Sequence, residues 1–138
     1  RWAPLRQRAG HLHVRPRMDA VAALTQWFWA PVVACAISCL YFHHADALPL
    51  ARRIIASAHG SLISLLYLGA LLVYGLGVSG PSLVYPFWVA FAVPLASAGL
   101  AFFWIRRRGA LHALLLLLAV CAAWSFFIGT MAVTGEWV

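Results

Sequence analysis

Residues 113–123 read ALLLLLAVCAA, eleven positions without a charge or a strong hydrogen-bonding side chain. A helix in a water-soluble bundle keeps one polar face, so polar side chains return within every two turns. This run has no polar side, and its solvent is therefore hydrocarbon. The apolar character continues outward to give a span over about 110–133, and three similar stretches occupy about 21–42, 54–78 and 84–105. Each has the roughly 20 residues that carry a helix across a bilayer at 1.5 Å rise per residue. The expectation is an all-α integral membrane protein of four transmembrane helices, arranged as two antiparallel hairpins, with residues 18–138 forming one domain.

Composition agrees with that class. The chain is 64% hydrophobic and 9% charged, against about 25% charged in soluble proteins. Its 138 residues and short connections leave no room for a separate soluble catalytic domain. All ten basic residues are arginine, which reads as the coding bias of a GC-rich bacterial genome and points to a multi-pass protein of the bacterial inner membrane. Nucleic-acid binding is excluded as a reading, because the basic residues sit in short clusters beside apolar spans without interleaved aromatic or Gly-rich modules.

The arginines also set an orientation. Arg52 and Arg53 fall between the first and second spans, and Arg106, Arg107 and Arg108 between the third and fourth, whereas Ser79 to Leu83 carries no charge. Because cytoplasmic loops collect Arg and Lys, links one and three read as cytoplasmic and both termini as extracytoplasmic, in keeping with Glu136 near the C-terminus. Arg1, Arg6, Arg8, Arg15 and Arg17 contradict this placement. A chain starting at Met18 would remove the conflict, so residues 1–17 are expected to be a disordered or non-native extension. An Arg-rich start, an apolar run and Ala45-Asp46-Ala47 loosely resemble a secretory signal, but the run exceeds the usual 7 to 15 residues and reads as a permanent helix.

Amphipathic aromatics favour the headgroup level, which places Trp27, Trp29, Tyr85, Trp88 and Trp137 at the outer ends of the spans and Tyr41, Phe42 and Trp104 at the inner ends. Gly75, Gly77, Gly80 and Pro81 close the second span. The halves resemble one another faintly: Phe28-Trp29 and Phe87-Trp88 open the two hairpins, and Gly77-Val78-Ser79-Gly80 and Ala132-Val133-Thr134-Gly135 end them.

Histidine is the first candidate for chemistry. His43, His44, His59 and His112 all map to the cytoplasmic ends. His59 follows Arg53 by six residues and His112 follows Arg108 by four, so their depths differ by about 3 Å. Two such imidazoles on neighbouring helices are the donor set for haem b or a metal held from both sides. Cys35, Cys39 and His43 recur at four-residue spacing on one helix face, with His44 adjoining, and soft thiolates with imidazole suit copper(I) or zinc. The competing reading is packing. Ala34 and Ser38 on the first span, Ser57, Gly60, Ser61 and Ser64 on the second, and Ala92, Ala96, Ser97 and Gly99 on the third are residues that let membrane helices approach closely.

No Asp, Glu or Arg lies in the centre of any span, where ionisable groups mark proton relays and ion-coupled transport. In size and helix count the chain is similar to the small multidrug exporters, which depend on a membrane-embedded glutamate in their first helix. No such residue is present here. Asp19, Asp46 and Glu136 form no carboxylate pair, and hydrolase, zinc-protease and nucleotide-binding motifs are missing. The expectation is a non-catalytic accessory or structural component, in contact with lipid and with a membrane-protein partner or a second copy, and holding no cofactor. A haem or metal redox subunit using His59 and His112 is the alternative. A minimal transporter with an uncharged path near Gln26 is the third reading.

Overall fold

The structure is a computed structural model and describes residues 28–105 and 109–136. The expected extension at 1–17, the start of the first span with Gln26 and Trp27, the cluster Arg106, Arg107 and Arg108, and Trp137 lie outside the described residues. The regular elements are helices: α1 Trp29–His44, α2 Leu50–Leu76, a 3₁₀ turn Pro81–Leu83, α3 Val84–Trp104 and α4 Gly109–Thr134. Helices α2, α3 with its leading turn, and α4 are long and apolar enough to cross a membrane. The 16 described residues of α1 cover about 24 Å of a hydrocarbon layer about 30 Å thick.

Cross-links between the elements fix their directions. The Arg52 guanidinium lies 5.7 Å from the Trp104 ring centroid, and the Tyr41 hydroxyl donates to the Leu111 carbonyl at 2.6 Å. The end of α1, the start of α2, the end of α3 and the start of α4 therefore share one end of the bundle, the arginine end. At the far end the Ser79 hydroxyl donates to the Ala132 carbonyl at 2.8 Å, and the Gly80 N–H donates to the Val133 carbonyl at 2.8 Å. Neighbours α2 and α4 thus run parallel. Helix α2 packs on all three others, while α1 and α3 take opposite flanks.

The start of α2 differs from the expected limit of residue 54. Pro49, at φ −54° and ψ 145°, is extended and cannot continue a helix. The Arg53 N–H donates to its carbonyl at 2.9 Å to begin the next one. Arg52 and Arg53 are consequently first-turn residues of α2 rather than link residues, a position that hydropathy hides because a span's terminal turn reaches the headgroups. The far end of α2 closes as expected on glycine. Gly77 has φ 73°, its N–H bonds to Tyr74 O at 3.0 Å and that of Val78 to Val73 O at 3.1 Å, the Schellman arrangement that needs a left-handed residue.

Burial follows a repeat. On α2, Ala56, Gly60, Ile63, Tyr67, Ala70 and Tyr74 are buried, alternating steps of four and three that give the shallow crossing usual for membrane bundles. Leu65, Leu68, Leu72 and Leu76 of the same helix, and Leu116, Leu117 and Val120 of α4, are exposed. Large aliphatic residues outside, with small or polar-tipped residues inside, invert the arrangement of a soluble bundle.

The α1–α2 contact is the closest in the molecule's first hairpin. A Cβ at Gly60 would fall within the van der Waals radius of the Ala34 carbonyl oxygen. The Ser38 hydroxyl oxygen accepts the N–H groups of Gly60 and Ser61 at 2.8 and 3.1 Å, and the Ser64 hydroxyl donates to Pro31 O at 2.6 Å. The small residues of α3 behave differently from the expectation. Of Ala92, Ala96, Ser97 and Gly99, Ser97 alone is buried, donating to Ile55 O, and the other three face outward, while Ala101 further along is buried. Between α3 and α4 lies a groove of about 380 Å³ whose walls include Ala92, Leu95, Ala119 and Ala123, together with Trp88 and Phe126. The two hairpins are thus packed unlike one another.

The aromatic belt is seen in part. Tyr85 and Trp88 are exposed near the far end. Trp29 is exposed but deeper than expected, because its neighbour Phe28 meets Tyr67 with ring centroids 6.4 Å apart, nine residues or about 14 Å short of the end of α2. Tyr41 is not at the surface at all; its hydroxyl is drawn inward by the Leu111 carbonyl.

Candidate functional site

The histidines gather near the arginine end because α1 and α3 end there and α2 and α4 begin there. His59 lies beside the inward stripe of α2 and is 0% exposed. Its ring meets Tyr41 edge to face, with centroids 4.9 Å apart and planes at 88°. The same Tyr41 reaches Leu111 on α4, which places His59 and the neighbouring His112 in one layer of the bundle. Neither nitrogen of His59 completes a well-formed hydrogen bond among the described residues, the Ala56 backbone being the polar group that acts on its ring. The edge-to-face contact compensates in part through the ring quadrupole.

His112 faces elsewhere. It is half-buried and meets Phe102 of α3 edge to face at 4.8 Å. A group held between two axial imidazoles requires both rings to look into one space, whereas His59 turns to α1 and His112 to α3. Cys35 and Cys39 are free thiols on the exposed side of α1. His43 is exposed beside the half-buried His44, their ring centroids 5.3 Å apart. Among the described residues no three His, Cys, Asp or Glu side chains come together as a metal-binding group. Cys121 is buried within α4.

The two described arginines of the topology set have defined surroundings. Arg52 rests over Trp104, as above. Arg53 lies over the Phe42 ring with its guanidinium carbon 4.2 Å from the centroid, and its Nε donates to the Phe42 carbonyl. Cation–π contacts of this kind hold a guanidinium flat against an aromatic face. The sequence reading missed the role of Tyr41, whose hydrogen bond across 70 positions left no spacing signal.

The poorly satisfied nitrogens of His59 lead to an expected outcome. Leucine has a similar volume and no polar atom to desolvate, so His59→Leu leaves stability within about 1 kcal/mol of the wild type or raises it. Chemical unfolding in mixed micelles measures this. A loss of several kcal/mol would show that the imidazole has a partner essential to the fold.

Comparison with family models, with curated proteins and with solved structures returned no match. The fold itself defines the class: a helical membrane protein with, among the described residues, three helices long and apolar enough to cross a membrane, in which the Tyr41 and Ser97 hydroxyls form hydrogen bonds between helices.

Proposed function

We propose that the chain is a small multi-pass component of the bacterial inner membrane, non-catalytic, that packs against another membrane protein or a second copy of itself. In this reading α1, continued toward its N-terminal side, is a fourth span, the arginine end is cytoplasmic and both termini are extracytoplasmic. The observation that carries it is the outward face of α3. Ala92, Ala96 and Gly99 are exposed at steps of four and three, and small residues in membrane helices are those at which another helix approaches. Inside the bundle the same device already operates at Gly60, against the Ala34 backbone. The outward set supplies it for a partner, beside the groove between α3 and α4.

The test uses Glu136→Cys in a chain whose three native cysteines are replaced by alanine. A membrane-impermeant thiol reagent added to spheroplasts labels Cys at 136 if the C-terminus is extracytoplasmic, and protection would reverse the orientation. Energy transfer between donor- and acceptor-labelled chains in liposomes, together with cross-linking in native membranes, reports association. Ala96→Leu is expected to weaken association about tenfold while leaving the bundle folded. A chain that stays monomeric and cross-links to no specific partner would remove this reading. A reduced-minus-oxidised visible spectrum is expected to be flat; sharp bands lost in His59→Leu would establish the haem alternative instead.

A further inference from the structure

A second groove opens between α1 and α2 at the arginine end, about 280 Å³ in volume and lined by Ser38, Cys39, Phe42, Ser57 and Ser61. We infer that it seats an anionic phospholipid, with the phosphate on Arg53 at the mouth and the ester region against the Ser61 hydroxyl.

Arg53 is fixed there by its own contacts. The ring of Phe42 lies beneath the guanidinium, and the Phe42 carbonyl takes the Nε hydrogen. The terminal amino groups of the guanidinium remain for a ligand, in the fork geometry that suits a phosphate. Depth agrees with the chemistry. Ser57 and Ser61 follow Arg53 by four and eight residues, about 6 and 12 Å deeper along α2. That interval covers the step from a headgroup layer several ångströms thick to the edge of the hydrocarbon. Ser57 donates its own hydrogen to the Arg53 and Ile54 carbonyls and shapes the wall. The Ser61 hydroxyl takes part in none of the described hydrogen bonds and can donate to an ester carbonyl. Charge selects the occupant. Arg52 and Arg53 share the first turn of α2, and Asp46 is the acidic residue described at this end. A partner helix would bring apolar side chains and no acceptor for the guanidinium, whereas an anionic lipid brings a phosphate at the right depth. Basic pockets between membrane helices bind such headgroups.

Native mass spectrometry of the full chain, titrated with phosphatidylglycerol, phosphatidylcholine or inorganic phosphate, tests the site. Phosphatidylglycerol is expected to bind one per chain, at least tenfold more tightly than phosphatidylcholine, and inorganic phosphate is expected not to displace it. Arg53→Gln should weaken phosphatidylglycerol about tenfold, and Arg52→Gln, on the Trp104 side, less than twofold. Cys39→Trp fills the groove from an exposed position, so it blocks the lipid without disturbing the core. Equal affinity for the two lipids, displacement by inorganic phosphate, or retention of tight binding in both Arg53→Gln and Cys39→Trp would overturn the assignment.

Discussion

Replacing Gly60 with leucine is expected to detach α1 from α2 and to lower the stability of the bundle by about 4 kcal/mol. The effect is large because two losses coincide. A side chain at position 60 would start inside the Ala34 carbonyl oxygen, which is backbone and cannot rotate away, so the helices must separate. Separation then breaks the bonds from Gly60 and Ser61 to Ser38 and from Ser64 to Pro31. Each such interhelical bond contributes on average about 0.6 kcal/mol within a membrane. Gly69→Leu is the control on the same helix. Nothing lies within 4 Å of a Cβ there, the position is exposed to lipid, and stability should stay within about 0.5 kcal/mol. Unfolding in mixed micelles followed by tryptophan fluorescence gives both numbers. Similar values for the two variants would disprove the close crossing.

Gly129→Ala is expected to cost about 2 kcal/mol, and to cost much less once Phe87 is shortened. The added Cβ would lie well inside contact distance of Phe87 Cζ, the tip of the ring. A ring that could swing aside would make the change cheap, but Phe87 is confined by Phe91 at 5.8 Å and by Phe126, stacked at 6.1 Å. In a Phe87→Leu background the same alanine meets a smaller, more adaptable side chain. A double-mutant cycle should therefore return a coupling energy of about 1 kcal/mol or more. Additive effects would mean that the aromatic cluster yields, and that α3 is held to α4 by something other than this contact.

The membrane class was open to reading because it depends on what is missing, a polar side to residues 113–123, and absence needs no knowledge of the fold. The ends of the spans were harder. Arg52 and Arg53 interrupted the apolar run and were assigned to a link, although a helix entering the headgroup layer keeps its hydrogen bonds while its side chains become charged. Which side of each helix faces inward was not legible, since lipid and core are equally apolar and Leu65 and Ile63 look alike in composition. Glycine carried part of the information: Gly60, grouped with Ser57, Ser61 and Ser64, makes the close approach, and of Gly75, Gly77 and Gly80 it is Gly77 that forms the left-handed cap. Ala92, Ala96 and Gly99 were read by the same rule but face outward, because a small residue marks an approach without naming the helix that makes it. For the histidines the sequence supplied depth alone. His59 and His112 do share a layer, yet their bearings around the helix axes turn them toward Tyr41 and Phe102.

The turn between α2 and α3 has a bearing on how the chain is made. The Ser79 hydroxyl and the Gly80 N–H bond to Ala132 and Val133, residues that follow them by more than fifty positions and emerge from the ribosome correspondingly later. During synthesis α2 and α3 are complete while that turn is still unfastened. Their packing is completed only when the last turn of α4 arrives, so biogenesis of this bundle ends with a latch rather than adding finished hairpins one at a time.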